Sequence, residues 1–245
     1  MATAIKVQVK VDEIQRHDET VYSVQLRLNG RSLPRIKPGQ FLHLALDDYD
    51  PAGGFWPDSR VFSLASIGEE TLQIVYSVKG VYTRRMEREL IAGRTVWIKL
   101  PYGNFVIDTS ASQSGGIVLV AGGTGIAPFI PFLENCLKKG WERGSVHLYY
   151  GLRRPSQALF QDLIKRCESE LGDFSYVQYI EEPNAAETYG RGWRIGRLDI
   201  GIIYEESPHG AVYYLSGPPS MVEIFEDSLK ARGVDKSAIK IDEWE

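Results

Sequence analysis

Apolar and polar residues alternate over most of the first hundred positions, in short runs separated by turn-forming residues. Ile5, Val7, Val9 and Val11 alternate with polar neighbours. Similar runs follow at 21–28, 41–46, 60–65, 72–78 and 95–100, whereas 81–90 has helical spacing. Short alternating segments with turns between them favour an antiparallel barrel or sandwich. We therefore predict a small antiparallel β-barrel with one helix.

The pattern changes after residues 108–116, a polar stretch of small residues that predicts a linker. Apolar runs of strand length follow at 117–121, 146–150, 175–180, 211–215 and 238–241, and they alternate with helical patterns at 127–138, 156–170, 197–203 and 219–231. Strands and helices in alternation indicate βαβ units and a doubly wound parallel sheet. The prediction is a barrel domain over 1–112 and an α/β domain over 113–245.

Composition excludes several classes of protein. Apolar residues make up 43% of the chain and charged residues 24%, as in ordinary globular proteins. The first residues alternate like a strand and lack the apolar core of a signal peptide, so we expect a cytoplasmic protein without membrane insertion. No basic tract points to nucleic acid. Cys136, Cys167 and the four histidines lack metal-ligand spacing, so no metal or iron–sulfur site is expected.

The glycine-rich segment 122–128, Gly-Gly-Thr-Gly-Ile-Ala-Pro, follows the apolar run 117–121 and precedes a predicted helix. A strand, a glycine turn and a helix present backbone N–H groups to an anion, and the absent Cβ atoms let a phosphate approach. The alternative is a tight turn without a ligand.

Two further segments have the chemistry of phosphate binding. Arg60 stands at the start of a predicted strand with Phe62 on the same face, while Val61 and Ser63 share the other face. A guanidinium pairs with phosphate, and a ring stacks on a heterocycle. Twenty residues later, Gly80 precedes a helix whose third residue is Thr83. The alternatives are a barrel strand with an exposed arginine and simple helix capping.

Together these segments resemble the motifs of the ferredoxin–NADP⁺ reductase superfamily of FAD-dependent oxidoreductases. Its Arg-x-Tyr-Ser motif is similar to residues 60–63, its Gly-x-x-Ser turn to 80–83, and its nicotinamide-nucleotide loop to 122–128. Its Cys-Gly-Pro-x-x-Met motif corresponds to 216–221. The resemblance covers nearly the whole chain and implies a Greek-key FAD barrel followed by an NAD(P)-binding sheet.

The resemblance also implies roles for individual residues. FAD contacts are expected from Arg60, Val61, Phe62, Ser63, Val75, Tyr76, Ser77, Gly80, Val81, Tyr82 and Thr83. Nicotinamide-nucleotide contacts are expected from Gly123, Thr124, Gly125, Arg153, Arg154, Ser216, Gly217, Pro218, Met221 and Trp244. Ser63, Ser216 and Trp244 are the expected catalytic residues, with Ser63 near flavin N5 and Trp244 covering the flavin.

Three positions depart from the family pattern. Phe62 lacks a hydroxyl, Thr83 replaces serine, and Ser216 replaces the cysteine near the path of hydride transfer. We expect Ser216 to slow hydride transfer without abolishing it. Trp244 is equally consistent with a residue that closes the sheet edge. Arg153 and Arg154, with Arg191 and Arg194, slightly favour NADPH over NADH, because no acidic residue stands beside them in sequence.

The electron acceptor is expected to be a separate redox protein, a ferredoxin or an oxygenase component. Arg84, Arg85 and Arg88 form a candidate docking edge, or else an ordinary solvated helix face. One alternative is an NAD(P)H-dependent reductase of free flavin or ferric iron. Another is a flavin-binding regulatory or electron-transfer subunit of a larger complex.

Overall fold

The computed structural model describes residues 3–30, 33–107, 115–141, 144–183 and 192–243. The chain forms two compact units that divide between Val106 and Ile107. The predicted domain boundary at 112–113 lies outside the described residues, as does Trp244. Within these ranges, every helix is too short or too polar to cross a membrane.

The first unit is a closed barrel of six antiparallel strands. They are β1 (Ile5–Arg16), β2 (Val21–Leu28), β3 (Phe41–Ala45), β4 (Ser59–Ile67), β5 (Thr71–Ser77) and β6 (Thr95–Tyr102). The spatial order β1-β2-β5-β4-β3-β6 confirms the Greek-key prediction. Alternate residues of each strand point inward, as the alternating sequence required, and pack into one apolar core that includes Val9, Leu26, Leu44 and Ile98.

Helix α1 (Val81–Glu89) packs on this barrel through Tyr82 and Met86, which belong to the same apolar core. The Tyr82 hydroxyl donates a 2.6 Å hydrogen bond to the carbonyl oxygen of Leu44 in β3. Because the bond joins the first turn of the helix to a barrel strand, it fixes the N-terminus of α1 against the barrel.

The second unit is a six-stranded parallel sheet with helices. Its elements are β7 (Ile117–Gly122), α2 (Ile130–Lys139), β8 (Val146–Leu152), α3 (Gln161–Glu170), β9 (Phe174–Ile180), β10 (Trp193–Ile195), α4 (Ile200–Glu206), β11 (Val212–Ser216), α5 (Pro219–Ala231) and β12 (Ile239–Ile241). The order β10-β9-β8-β7-β11-β12 confirms the doubly wound prediction. The direction of winding reverses between β7 and β11, which defines a crevice at their carboxyl ends.

Several boundaries differ from the predictions. The glycine segment forms a 3₁₀ helix over Gly123–Phe129, so α2 begins only at Ile130. Helix α3 begins at Gln161 and not near 156, because Phe160 adopts a left-handed conformation with φ of 56°. Helix α4 begins after Asp199, whose carboxylate accepts hydrogen bonds from the N–H groups of Gly201 and Ile202. Strand β10 was not predicted.

Candidate functional site

Arg60 lies at the start of β4 with its guanidinium 5.0 Å from the centre of the Tyr82 ring. Its Nη1 donates a 2.6 Å hydrogen bond to Asp58, and its side chain is 54% exposed. The ring of Tyr82 and the carboxylate of Asp58 therefore orient the guanidinium while leaving much of it accessible. An arginine held in this way is able to bind a phosphate group of a ligand.

The N-terminus of α1 lies close to Arg60, because Tyr82 in its first turn contacts the guanidinium. Thr83 Oγ1 accepts hydrogen bonds from the N–H groups of Lys79 and Gly80, at 2.9 and 3.1 Å. Among the described residues other than Gly80 and its two chain neighbours, no atom lies within 4 Å of the position that a Cβ on Gly80 would take. The open space and the positive end of the helix beside an arginine suit a diphosphate such as that of FAD.

Phe62 and Ser63 lie on opposite faces of β4. Phe62 is only 6% exposed and belongs to the barrel core, where its ring is edge-on to Tyr76 with centroids 6.3 Å apart. Ser63 is 2% exposed and is paired with Phe41 of β3. The ring of Phe62, which is predicted to pack against a flavin, is therefore mostly buried in the barrel core.

Other residues expected at the FAD site fall into two groups. Val75 and Tyr76 of β5 are buried, and Tyr76 stacks on Tyr22 with ring centroids 5.4 Å apart. Burial raises the pKa of the Tyr76 hydroxyl. Ser77, at the end of β5, is half-buried, as is Val61, whereas Val81 is exposed. Val61 and Val81 follow Arg60 and Gly80 directly in the sequence, whereas Tyr76 belongs to the barrel core.

The glycine segment at the end of β7 packs closely against the segment that follows β11. A Cβ on Gly125 would lie 2.4 Å from the carbonyl oxygen of Ser216, and one on Gly122 would lie 2.8 Å from Pro218 Cδ. Gly217 is equally constrained by Met221, because a Cβ there would lie 2.6 Å from Met221 Cε. These glycines therefore permit two backbone segments to meet at the carboxyl edge of the sheet.

Gly123 has a different environment from these glycines. Its φ is 57°, and in the described part of the chain outside its own turn no atom lies within 4 Å of the position that its Cβ would take. Thr124, the next residue, is half-buried. The turn thus presents an open backbone at the crevice between β7 and β11, where doubly wound sheets bind dinucleotides. Of the residues predicted for the nicotinamide side, those in the glycine segment and those in Ser216 to Met221 meet at this edge of the sheet.

Ser216 makes a hydrogen bond that the sequence did not predict. Its hydroxyl donates to Asp242 Oδ2 at 2.9 Å, and the two residues are 0% and 5% exposed. The N–H of Asp242 donates to the carbonyl oxygen of Leu215, which continues the pairing of β11 with β12. The proton of Ser216 is therefore directed to a carboxylate, and its lone pairs remain to accept other hydrogen bonds.

Arg153 and Arg154 follow β8, two strands from β11. Arg153 Nε donates a 2.8 Å hydrogen bond to Glu182, and Arg194 pairs with Glu206 at 2.6 Å and with the Tyr179 hydroxyl at 2.8 Å. Arg194 is therefore tied into the sheet and α4, whereas Arg153 pairs with Glu182. Arg154 is half-buried. Arg191 lies outside the described residues.

Comparison with known proteins agrees with this architecture. Residues 119–227 match the family described as oxidoreductase NAD-binding domain. The reductase component of propane 2-monooxygenase from Rhodococcus jostii is 25% identical over 97% of this chain and 63% of its own length. A flavohemoprotein from Candida norvegensis is 28% identical over 92% of the chain and 54% of its own length. The chain thus spans between half and two thirds of these relatives.

Solved structures share the two-unit fold. Amycolatopsis cytochrome P450 reductase GcoB is 24% identical, with a TM-score of 0.82 over 99% of this chain and 71% of its own. The flavohem-like FAD/NAD-binding domain of nitric oxide dioxygenase from Vibrio cholerae is 18% identical, with a TM-score of 0.76 over 96% and 97%.

The two-unit fold is the one that these solved structures share, as the motifs indicated. The family match covers residues 119–227 of the second unit. The surroundings of Arg60, Gly80 and Gly123 have the charge and the open space to receive the phosphate groups of nucleotide cofactors.

Proposed function

We propose that this protein takes hydride from a nicotinamide nucleotide onto FAD and passes electrons to a separate redox protein, a ferredoxin or an oxygenase component. The observation that carries the proposal is the presence of two phosphate-binding arrangements in one chain. One is Arg60 beside the N-terminus of α1, and the other is the open turn at Gly123 between β7 and β11. The relatives named as reductase or electron transfer components of oxygenases support the same direction of electron flow.

FAD, when bound, accepts a hydride and releases electrons singly, which suits a carrier that takes one electron at a time. The residues of this chain bind and orient the reactants. Arg60 and the first N–H groups of α1 hold a diphosphate, and the glycine turn holds the nucleotide. Ser63 is the residue proposed to hydrogen-bond near flavin N5. Ser216, oriented by Asp242, is proposed to contact the nicotinamide.

Two measurements on purified protein test this proposal. We expect FAD to survive dialysis, and NADH or NADPH to bleach the flavin absorbance without oxygen. Retained flavin that neither nucleotide bleaches would favour a regulatory subunit. Flavin lost on dialysis, with turnover restored by added free flavin, would favour a free-flavin reductase. Either of these results would overturn the proposal.

The expected docking edge on α1 is only partly consistent with the structure. Arg85 donates to Asp47 at 2.7 Å and to Glu89 at 2.9 Å, so its charge is neutralised within the barrel unit. Arg84 and Arg88 are exposed. Another basic feature of the unit lies on β1 and β6, where Lys6 and Lys99 stand directly opposite each other.

We propose that the acceptor docks on a lysine–aromatic surface formed by Lys6, Lys99, Tyr49, Trp56 and Tyr102. Lys6 Nζ donates to the Tyr49 hydroxyl at 2.9 Å, and Lys99 Nζ lies 5.2 Å from the Trp56 ring and 5.5 Å from the Tyr102 ring. Burial and the charge of Lys6 lower the pKa of Lys99. Ammonium groups held on aromatic rings lose little freedom on binding, and they suit an acidic protein surface.

The position of this surface supports the docking proposal. Tyr102 stacks on Phe41 with centroids 6.0 Å apart, and Phe41 is paired with Ser63 in the neighbouring strand. A protein bound there would contact the barrel close to the residue proposed to meet the flavin.

Charge reversal tests the docking surface. In the double variant Lys6→Glu and Lys99→Glu, we expect slower reduction of an acidic [2Fe–2S] ferredoxin and a weaker dependence on salt, with reduction of a neutral quinone unchanged. Lys165→Glu, in α3, is the control and should leave both rates unchanged. Equal ferredoxin rates in the double variant and the wild type would contradict this docking site.

A further inference from the structure

Three basic side chains stand in one row across the outer face of the barrel. Lys99 of β6 is paired with Lys6 of β1 on one side and with His43 of β3 on the other. The chain neighbours Ile98 and Leu44 point into the barrel core, so the side chains of the row point outward. Like charges directly opposite each other in a sheet are destabilising. The stability of the barrel therefore does not explain why Lys6 faces Lys99.

Aromatic rings surround the ammonium group of Lys99. Its Nζ lies 5.2 Å from the centre of the Trp56 ring and 5.5 Å from that of the Tyr102 ring. The Tyr102 ring is edge-on to His43, with centroids 4.9 Å apart. In the described part of the chain, no carboxylate forms an ion pair with Lys99. The rings attract a cation but carry no net charge, so they do not cancel the repulsion from Lys6.

These surroundings favour the neutral amine of Lys99 over its ammonium form. Burial and the charge of Lys6 lower the pKa of Lys99, and burial and the charge of Lys99 lower the pKa of His43. The neutral amine is the nucleophilic form of a lysine, and a neighbouring cation activates a lysine by this effect. As with thiols, a lower pKa increases the reactive fraction more than it decreases the intrinsic nucleophilicity.

A small anionic reagent is able to reach this amine. Lys99 is half-buried on the outer face of the barrel, and Lys6 beside it is exposed. Lys6 Nζ donates to the Tyr49 hydroxyl at 2.9 Å, which fixes its charge at the surface. A row of basic groups raises the local concentration of anions. An acyl donor that carries negative charge, such as an acyl phosphate, is therefore favoured over a neutral ester.

We propose that Lys99 is an acylation site that takes its acyl group from an acyl phosphate. The neutral Nζ attacks the acyl carbon, a C–N bond forms, and the C–O bond to the phosphate breaks. Inorganic phosphate leaves, and the proton lost by the nitrogen passes to water. The product is an uncharged amide, so the lysine–aromatic surface loses one of its two ammonium charges. The acylation is independent of the proposed reductase activity, whereas its effect on acceptor docking rests on that activity.

Mass spectrometry tests the acylation without any turnover. The flavin-loaded protein is incubated with acetyl phosphate near neutral pH, and the acetylated fraction of each lysine is followed with time. We expect Lys99 to be acetylated at least about threefold faster than Lys230. Lys230 is the more exposed of the two, but its hydrogen bond to Glu226, an ion pair of 2.7 Å, raises its pKa. A rate set by exposure alone would give the opposite order.

Lys6→Gln removes the opposing charge and keeps a long polar side chain. We expect it to slow acetylation of Lys99 by at least about twofold and to leave Lys230 unchanged. Lys10→Gln is the matched control, because Lys10 is exposed on the same strand and is paired with Thr95. It should leave the rate at Lys99 unchanged. Acetylation of Lys99 no faster than that of Lys230, or a rate that Lys6→Gln does not change, would overturn the proposal.

Reduction of an acidic [2Fe–2S] ferredoxin tests the consequence for docking separately. We expect treatment with acetyl phosphate to slow this reaction in the wild type and to slow it less in Lys99→Arg, which keeps the charge and does not form the amide. A wild type that is acetylated at Lys99 and reduces ferredoxin at its original rate would reject the docking surface and leave the acylation site intact. Slow ferredoxin reduction in Lys99→Gln, with Lys99 unmodified in treated wild type, would reject the acylation and support the docking surface.

Discussion

Replacing Ser216 by alanine removes the hydroxyl that donates to Asp242 Oδ2 at 2.9 Å. The serine is 0% exposed and the aspartate 5%, so water does not readily replace the lost donor. A hydrogen bond to a charged group contributes about 1.5–3 kcal/mol to stability. We expect Ser216→Ala to lower the free energy of unfolding by about 2 kcal/mol, which corresponds to a decrease in Tm of roughly 4–8 °C.

The assay is denaturant and thermal unfolding of Ser216→Ala, Asp242→Asn and the double variant. The cycle isolates the interaction between the two side chains, which we expect to be about 1 kcal/mol or more. Ser220→Ala is the control, because Ser220 is exposed in the first turn of α5 and its loss should change stability by less than about 0.5 kcal/mol. Additive effects in the cycle, or a Ser216→Ala variant as stable as the control, would refute the reasoning.

Three further predictions concern rate, cofactor affinity and pH. Ser216→Cys restores the residue usual in the family, and we expect faster flavin reduction in anaerobic stopped-flow; a slower or unchanged rate would count against the assigned role. Arg60→Ala should weaken FAD binding by about 10- to 100-fold, because a charge-assisted hydrogen bond is lost, and should leave riboflavin binding unchanged. Fluorescence titration measures both affinities, with Arg27→Ala as the control. Equal losses of affinity for both flavins would exclude a diphosphate contact. Burial lowers the pKa of His17, His43 and His147 in the folded protein. Below the ordinary histidine pKa of about 6.5, the unfolded chain therefore binds more protons than the folded protein does. The free energy of unfolding should fall as the pH decreases through that value. His147→Asn should reduce this slope in unfolding curves between about pH 5 and pH 8, and an unchanged slope would show that His147 does not contribute.

Most of the fold could be predicted from local patterns in the sequence. Alternation with period two marks the barrel strands, and strand-length apolar runs separated by helical patterns mark the parallel sheet. The glycines at 122, 125 and 217 are each required by a close approach of backbone or side chain, so the motif containing them is a direct consequence of packing. The strand and helix patterns depend on residues close together in the sequence, and for that reason they can be predicted from spacing.

The residues that sequence reasoning missed are brought in by strand pairing. Asp242 is 26 positions from Ser216 and reaches it because β12 pairs with β11. Glu182 is 29 positions from Arg153 and reaches it because β9 pairs with β8. Arg85 and Asp47 are 38 positions apart. No local spacing reports such contacts, and each of them engages a side chain that the sequence presents as available.

Arg153 and Arg85 also show that sequence does not reveal which carboxylates pair with an arginine. Both arginines stand in basic segments, and both were interpreted as binding groups. In the structure each donates to at least one carboxylate from another element. The partner carboxylates are therefore part of any account of what these arginines bind.

The most direct test of the central claim is anaerobic mixing of the protein, as purified, with NADH and with NADPH, followed at the flavin absorbance. We expect a bound flavin that at least one of the two nucleotides bleaches rapidly. A protein without flavin, or a flavin that stays oxidised with both nucleotides, would contradict it.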